Sequence, residues 1–98
     1  MKKFDSETIQ SVLRDLKRWN YTEGCIEKEF VFNNFKDALA AMVRIGFEAE
    51  NMDHHPEWSN VYNKLNIRLR THAADGVTEK DFFLAKKIEE IISQMHPG

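Results

Sequence analysis

Three of the four histidines in this 98-residue chain, His54, His55 and His72, fall within nineteen positions of one another. Imidazole is the one side chain whose unperturbed pKa, about 6.5, lets it give and take protons near neutrality. A single positioned acid or base is worth roughly 10²–10⁴ in rate. Two such rings, one protonated and one neutral, suit the addition or elimination of water. Two other readings stand beside this one. Histidines in a polar loop are commonly plain solvated surface. Three histidines and a water also form a known catalytic zinc set, although adjacent residues in extended chain tend to point apart.

The elements that must position these rings follow from spacing. Ile9, Val12, Leu13 and Leu16 make the apolar stripe of a first helix, with Asp5 or Ser6 as its cap and Glu7 in its first turn. Trp19 to Thr22 reads as a short strand, Glu23-Gly24 as a turn, and Cys25 to Phe32 as a second strand with Ile26, Phe30 and Phe32 on one side and Lys28 as the exception. Asn34 caps the next helix, with Asp37 placed to bond back, and Phe35, Leu39, Met42, Val43 and Gly46 are its expected buried stripe. That helix should run to about Glu50. His55 precedes Pro56, which disfavours helical backbone and puts His55 in a loop.

Asn60 to Tyr62 and Leu65 to Thr71 are expected as two more strands around a tight Asn63-Lys64 turn. In the second, Leu65, Ile67, Leu69 and Thr71 face one way, and Asn66, Arg68, Arg70 and His72 the other. Ala73 to Val77 bends at Gly76. Thr78 to Asp81 opens a last helix with stripe Phe82, Ala85, Ile88, Ile92 and Met95, and His96-Pro97-Gly98 is expected to fray. The order αββαββα is met most simply by an α+β, two-layer domain spanning residues 1–98: a four-stranded antiparallel sheet with three helices on one face.

Composition narrows the function. With 42% hydrophobic and 31% charged residues the chain should fold, and a net charge of −2 gives no field that selects nucleic acid. Arg68 and Arg70 on one strand face do not outweigh that acidity. No apolar run approaches the ~20 residues needed to cross a bilayer. Met1 to Glu7 lacks the apolar stretch of a signal peptide, so a cytoplasmic location is expected. Cys25 is the sole cysteine, which leaves neither an internal disulfide nor a thiolate zinc cage.

Asp53-His54-His55-Pro56-Glu57-Trp58-Ser59-Asn60-Val61-Tyr62-Asn63-Lys64, with Thr71-His72 and Asp81 further on, closely resembles the pterin-4a-carbinolamine dehydratases. The family pattern is His-His-Pro, an aromatic six positions on (Tyr62), a histidine ten further (His72) and an aspartate nine beyond that (Asp81). Leu13-Arg14, Trp19-Asn20, Glu23-Gly24, Phe30-Val31-Phe32 and Asn34-Phe35 extend the likeness over nearly the whole chain. Departures occur at Asn51, where a charged residue is usual, and at Arg70 and Ala73 beside Thr71-His72. They bear on substrate preference.

The resemblance implies a dehydratase that converts 4a-hydroxytetrahydrobiopterin to quinonoid dihydrobiopterin and water, in tetrahydrobiopterin recycling, with no metal or organic cofactor. By analogy His54 and His72 are the acid–base pair, and His55 orients the pterin and shares in proton transfer. Asp53, Pro56, Trp58, Thr71 and Asp81 join them in substrate binding. Several of these have structural alternatives: Asp81 as a helix cap or as the group orienting His72, Asp53 as a cap, and Trp58 as packing rather than a wall for the flat ring. Tyr62 is expected to be structural. Relatives form homodimers and homotetramers, and vertebrate members also serve as dimerisation cofactors of a homeodomain transcription factor. A protein-interaction module, acting in the nucleus and without essential catalysis, is therefore the alternative function.

Overall fold

The structure is a computed structural model and describes residues 2–95; the His96-Pro97-Gly98 tail lies outside the described residues. Its elements are α1 (Ser6–Leu13), β1 (Asn20–Thr22), β2 (Cys25–Val31), α2 (Phe35–Met52), β3 (Glu57–Val61), β4 (Lys64–Leu69) and α3 (Glu79–Met95), with a 3₁₀ turn at His72–Ala74 before α3. The expected αββαββα order is the observed one. The four strands form one antiparallel sheet in the order β1-β2-β4-β3.

The sheet is built by two hairpins joined across β2 and β4. Thr22 pairs with Cys25 around Glu23 and Gly24, whose φ values of 51° and 76° suit the primed turns that match strand twist. Register then sets the faces. Ile26 opposes Leu69 and Phe30 opposes Leu65, and these four with Ile67 are buried on the helix side. Glu27, Glu29, Asn66 and Arg68 fall on the opposite face. Lys28 stays on the apolar side because its ammonium lies 4.6 Å over the Phe30 ring and bonds Glu89 of α3 at 2.6 Å.

Two expectations are corrected. β3 begins at Glu57, not Asn60, and its turn to β4 is Tyr62-Asn63, so Lys64 already belongs to β4. As an edge strand, β3 takes its hydrogen bonds from β4 and needs few apolar residues of its own. The second correction concerns α2. Asn34 caps it as expected, accepting from the Asp37 amide at 2.8 Å. The buried residues, however, are Ala38, Ala41, Ile45 and Ala49, while Phe35, Leu39, Val43 and Phe47 are exposed, Phe47 by 70%. Small side chains let α2 sit close to the sheet and α3, and the bulky ridge is turned away. Met42 is half-buried.

α3 buries Asp81, Phe82, Leu84, Ala85, Ile88 and Ile91, with Ile92 and Met95 packed at the margin. α1 starts at Asp5, whose carboxylate accepts from the Thr8 amide at 2.8 Å. It ends at Leu13, and Leu16 reaches the core from the turns that follow.

Candidate active site

The site begins with how α2 stops. Asp53 takes a left-handed conformation (φ 51°), its N–H reaches the Glu50 carbonyl, and the N–H of His54 reaches the Ala49 carbonyl, both at 3.0 Å. This paired closure is the Schellman pattern. It fixes His54 relative to the helix through its own backbone.

The His54 side chain is equally constrained. Its Nε2 lies 2.6 Å from Asp81 Oδ1, and Asp81 is fully buried on α3. The second carboxylate oxygen, Oδ2, accepts from the Thr78 amide at 2.8 Å and from the Thr71 hydroxyl at 2.9 Å. Thr71 has one hydroxyl hydrogen and gives it to Asp81, so the Thr78 hydroxyl donates to Thr71 across 2.7 Å. A carboxylate only accepts, which puts the hydrogen of a neutral His54 on Nε2 and leaves the lone pair on Nδ1. Nδ1 makes no hydrogen bond to any described residue. The ring therefore offers one nitrogen for chemistry and has the other tied down.

Asp81 thus does two of the things weighed for it, on separate oxygens. Through Oδ2 it closes the start of α3 as a capping carboxylate, and through Oδ1 it orients a histidine. That histidine is His54. The expectation that Asp81 orients His72 is corrected, and strand alternation explains why. Thr71 points inward to the carboxylate, so the next residue, His72, points out.

His72 is 72% exposed and has only a long contact, 3.5 Å from its Nε2 to Glu57 Oε1. That contact nonetheless ties the end of the β4 chain to the segment following the His-His-Pro loop. His55 is also exposed, with its Nε2 2.8 Å from Glu50 Oε1. Asp53 is exposed, Pro56 half-buried, and Thr71 buried. Trp58 shares the helix side of the sheet with its partner Ile67, and a Cβ added at Gly46 of α2 would lie 3.9 Å from its ring. Its placement is that of a packing residue.

His54, Thr71 and Asp81 are thus in one hydrogen-bonded unit, with His72 one residue beyond it and His55 one residue from His54. Two partners lie outside the sequence expectations, Glu50 and Glu57, as does the contact of the Thr78 hydroxyl with Thr71. The Thr78-to-Asp81 spacing marked a cap, yet nothing local signals that the Thr78 hydroxyl is buried against Thr71. Among the described residues no cluster of three or more His, Cys, Asp or Glu is arranged to hold a metal ion.

Comparison with known proteins places these residues in context. Residues 2–91 match the family described as "Pterin 4 alpha carbinolamine dehydratase". A protein of Christiangramia forsetii carrying the pterin-4-alpha-carbinolamine dehydratase name is 52% identical over 92 residues, covering 94% of this chain and 95% of that one. One of the same name from Opitutus terrae is 49% identical over 84 residues, covering 85% and 87%. The crystal structure of a "transcriptional coactivator/pterin dehydratase" from Brucella melitensis superposes with a TM-score of 0.90 at 34% identity, over 93% of this chain and 99% of that one.

Proposed function

The chain belongs to the pterin-4-alpha-carbinolamine dehydratase family of hydro-lyases, and on that premise we propose that it converts 4a-hydroxytetrahydrobiopterin to quinonoid dihydrobiopterin and water, in the cytoplasm, as a step of tetrahydrobiopterin recycling. The observation that carries the proposal is the pairing of a fixed ring with a free one. His54 has Nε2 locked on Asp81 and Nδ1 unpaired, and the exposed ring of His72 follows directly on a residue of the same network.

The reaction breaks the C4a–O bond and the N5–H bond and forms a C4a=N5 double bond. One imidazolium gives its proton to the departing hydroxyl, which leaves as water, and one neutral imidazole accepts the N5 proton. The two rings exchange charge states, and a proton passed back through solvent restores them. No electron leaves the substrate. His54 takes one half with its Nδ1, because Asp81 holds Nε2 and fixes the ring's direction. His72 supplies the complementary half, and His55, beside His54, orients the pterin. Asp53, Pro56 and the Thr71 backbone form the rest of the binding surface.

Stopped-flow measurement of the dehydration of freshly generated 4a-hydroxytetrahydropterin tests this. His54→Ala and His72→Ala are each expected to lower turnover by about 10²-fold or more, the usual scale for acid–base groups. Unchanged turnover in both removes them from the mechanism.

A second role is supported by the exposed apolar ridge of Phe35, Leu39, Val43 and Phe47. We propose that it is covered by self-association into a homodimer or homotetramer; a transcription-factor partner on the same ridge is the rival reading. Light scattering of the purified chain, beside a coprecipitation, separates them.

A further inference from the structure

His54 is held by its side chain, and His72 is not: its ring is 72% exposed and meets only Glu57, at 3.5 Å. The position of the ring therefore depends on the backbone of the loop that carries it. That loop is tightly closed. Thr71 and Gly76 bond each other in both directions, N–H to carbonyl, at 2.8 and 3.3 Å. Inside this closure the Ala74 amide donates to the Thr71 carbonyl and the Asp75 amide to the His72 carbonyl, each at 3.1 Å.

The closure needs a left-handed residue at position 75, and it is filled by an aspartate with φ 55° rather than by glycine. A non-glycine residue is disfavoured there, aspartate less than most. Glycine would relieve that strain, so the carboxylate offers something in exchange. Its Oδ1 lies 2.6 Å from Nη2 of Arg70, on the other arm of the loop. Among the described residues Asp75 is the only side chain bonded to this guanidinium, whose Nε is buried without a partner. Arg70 was one of the departures from the family pattern, and neither residue belongs to the machinery described above.

We propose that Arg70 and Asp75 are a positioning pair: their ion pair clamps the 71–76 loop and thereby aims the otherwise unsupported His72 ring at the substrate. The inference rests on the reading that His72 takes part in proton transfer. Stability is not its main product. Asp75 is 87% exposed, and exposed ion pairs contribute little to folding. Reactivity is more sensitive, because a misplacement of about 1 Å can cost up to 10²-fold in rate.

The test is steady-state dehydration kinetics together with thermal melts on the full chain. Asp75→Asn keeps the left-handed preference and removes the charge; it should lower kcat about 3–10-fold with KM within about twofold and the melting temperature nearly unchanged. Asp75→Gly should lose kcat in the same way despite relieving the backbone. Arg70→Gln should match Asp75→Asn, and Arg70→Lys should recover part of the loss. In a His72→Ala background Asp75→Asn should cost nothing more. An unaffected kcat in Asp75→Asn and Asp75→Gly, or the same loss with and without His72, overturns the pair. Full turnover in His72→Ala overturns both the pair and the role proposed for His72; an impaired His72→Ala beside an unaffected Asp75→Asn overturns the pair alone.

Discussion

His54 and His72 flank the same junction between α2, β4 and α3, and they are held by opposite means. His54 is 8% exposed, fixed by its amide to the end of α2 and by its ring to a buried carboxylate with three donors. His72 is mostly in solvent and depends on a four-residue turn, one ion pair and a distant glutamate. The difference matters for the proposed reaction, in which one ring starts charged and the other neutral. A ring locked on Asp81 has a set tautomer and direction, whereas the ring of His72 faces solvent. In the proposed mechanism, burial supplies orientation on one side and exposure supplies access to solvent on the other.

Asp81→Ala should break the comparison most severely. It removes the counter-ion of His54 and strands the Thr71 hydroxyl and the Thr78 amide, so turnover should fall by about 10²-fold or more and stability by about 3 kcal/mol. Stopped-flow rates and urea midpoints would check it. A loss of activity with an unmoved midpoint would mean that the buried network does not hold the fold as described. On the opposite side, Glu57→Gln should change turnover by less than about 3-fold and stability hardly at all, as expected of an exposed pair at long range. A large fall would show that His72 is held by its side chain after all, and the contrast between the two rings would disappear.

The smallest expected effect uses a second helix-capping carboxylate as the exposed counterpart of Asp81. Asp5 begins α1 in open solvent, and its hydrogen bond from the Thr8 amide holds its carboxyl below the usual carboxylate range. A carboxyl depressed in the folded state stabilises the fold fully above its unfolded pKa and loses that contribution as pH falls through the folded value. Asp5→Asn should therefore flatten the acid limb of a pH–stability curve slightly and leave neutral-pH turnover alone. A steep change in activity would mean that the start of α1, whose neighbour Phe4 bonds the Val77 carbonyl, bears on the site.

Most of this arrangement was legible in the sequence, for identifiable reasons. Alternation in Leu65 to Thr71 gave the faces of β4, and the spacing of Thr78 and Asp81 gave the start of α3. The His-His-Pro segment pointed to the family. What stayed hidden depends on size and on distant contacts. Hydropathy ranks Phe35 and Leu39 above Ala38 and Ala41, but close packing of α2 favours the smaller pair, so the wrong face was chosen. β3 reads poorly because its Glu57 and Ser59 are exposed on an edge. The partner of Asp81 was misassigned because His72 is nearer along the chain while His54 is nearer in space. Arg70 reads only as an outward-facing strand residue and Asp75 carries no local signal, because a closed turn is what brings them together.

The double engagement of Asp81 has an evolutionary corollary. Drift at that position is judged twice, first by whether a helix can begin and then by whether the His54 ring keeps its bearing. A lineage adapting this protein to a new pterin has little freedom there and far more in the residues around the outward-facing turn. Diversity among close relatives should accordingly gather at exposed position 73, while positions 70 and 75 change together so as to keep their ion pair.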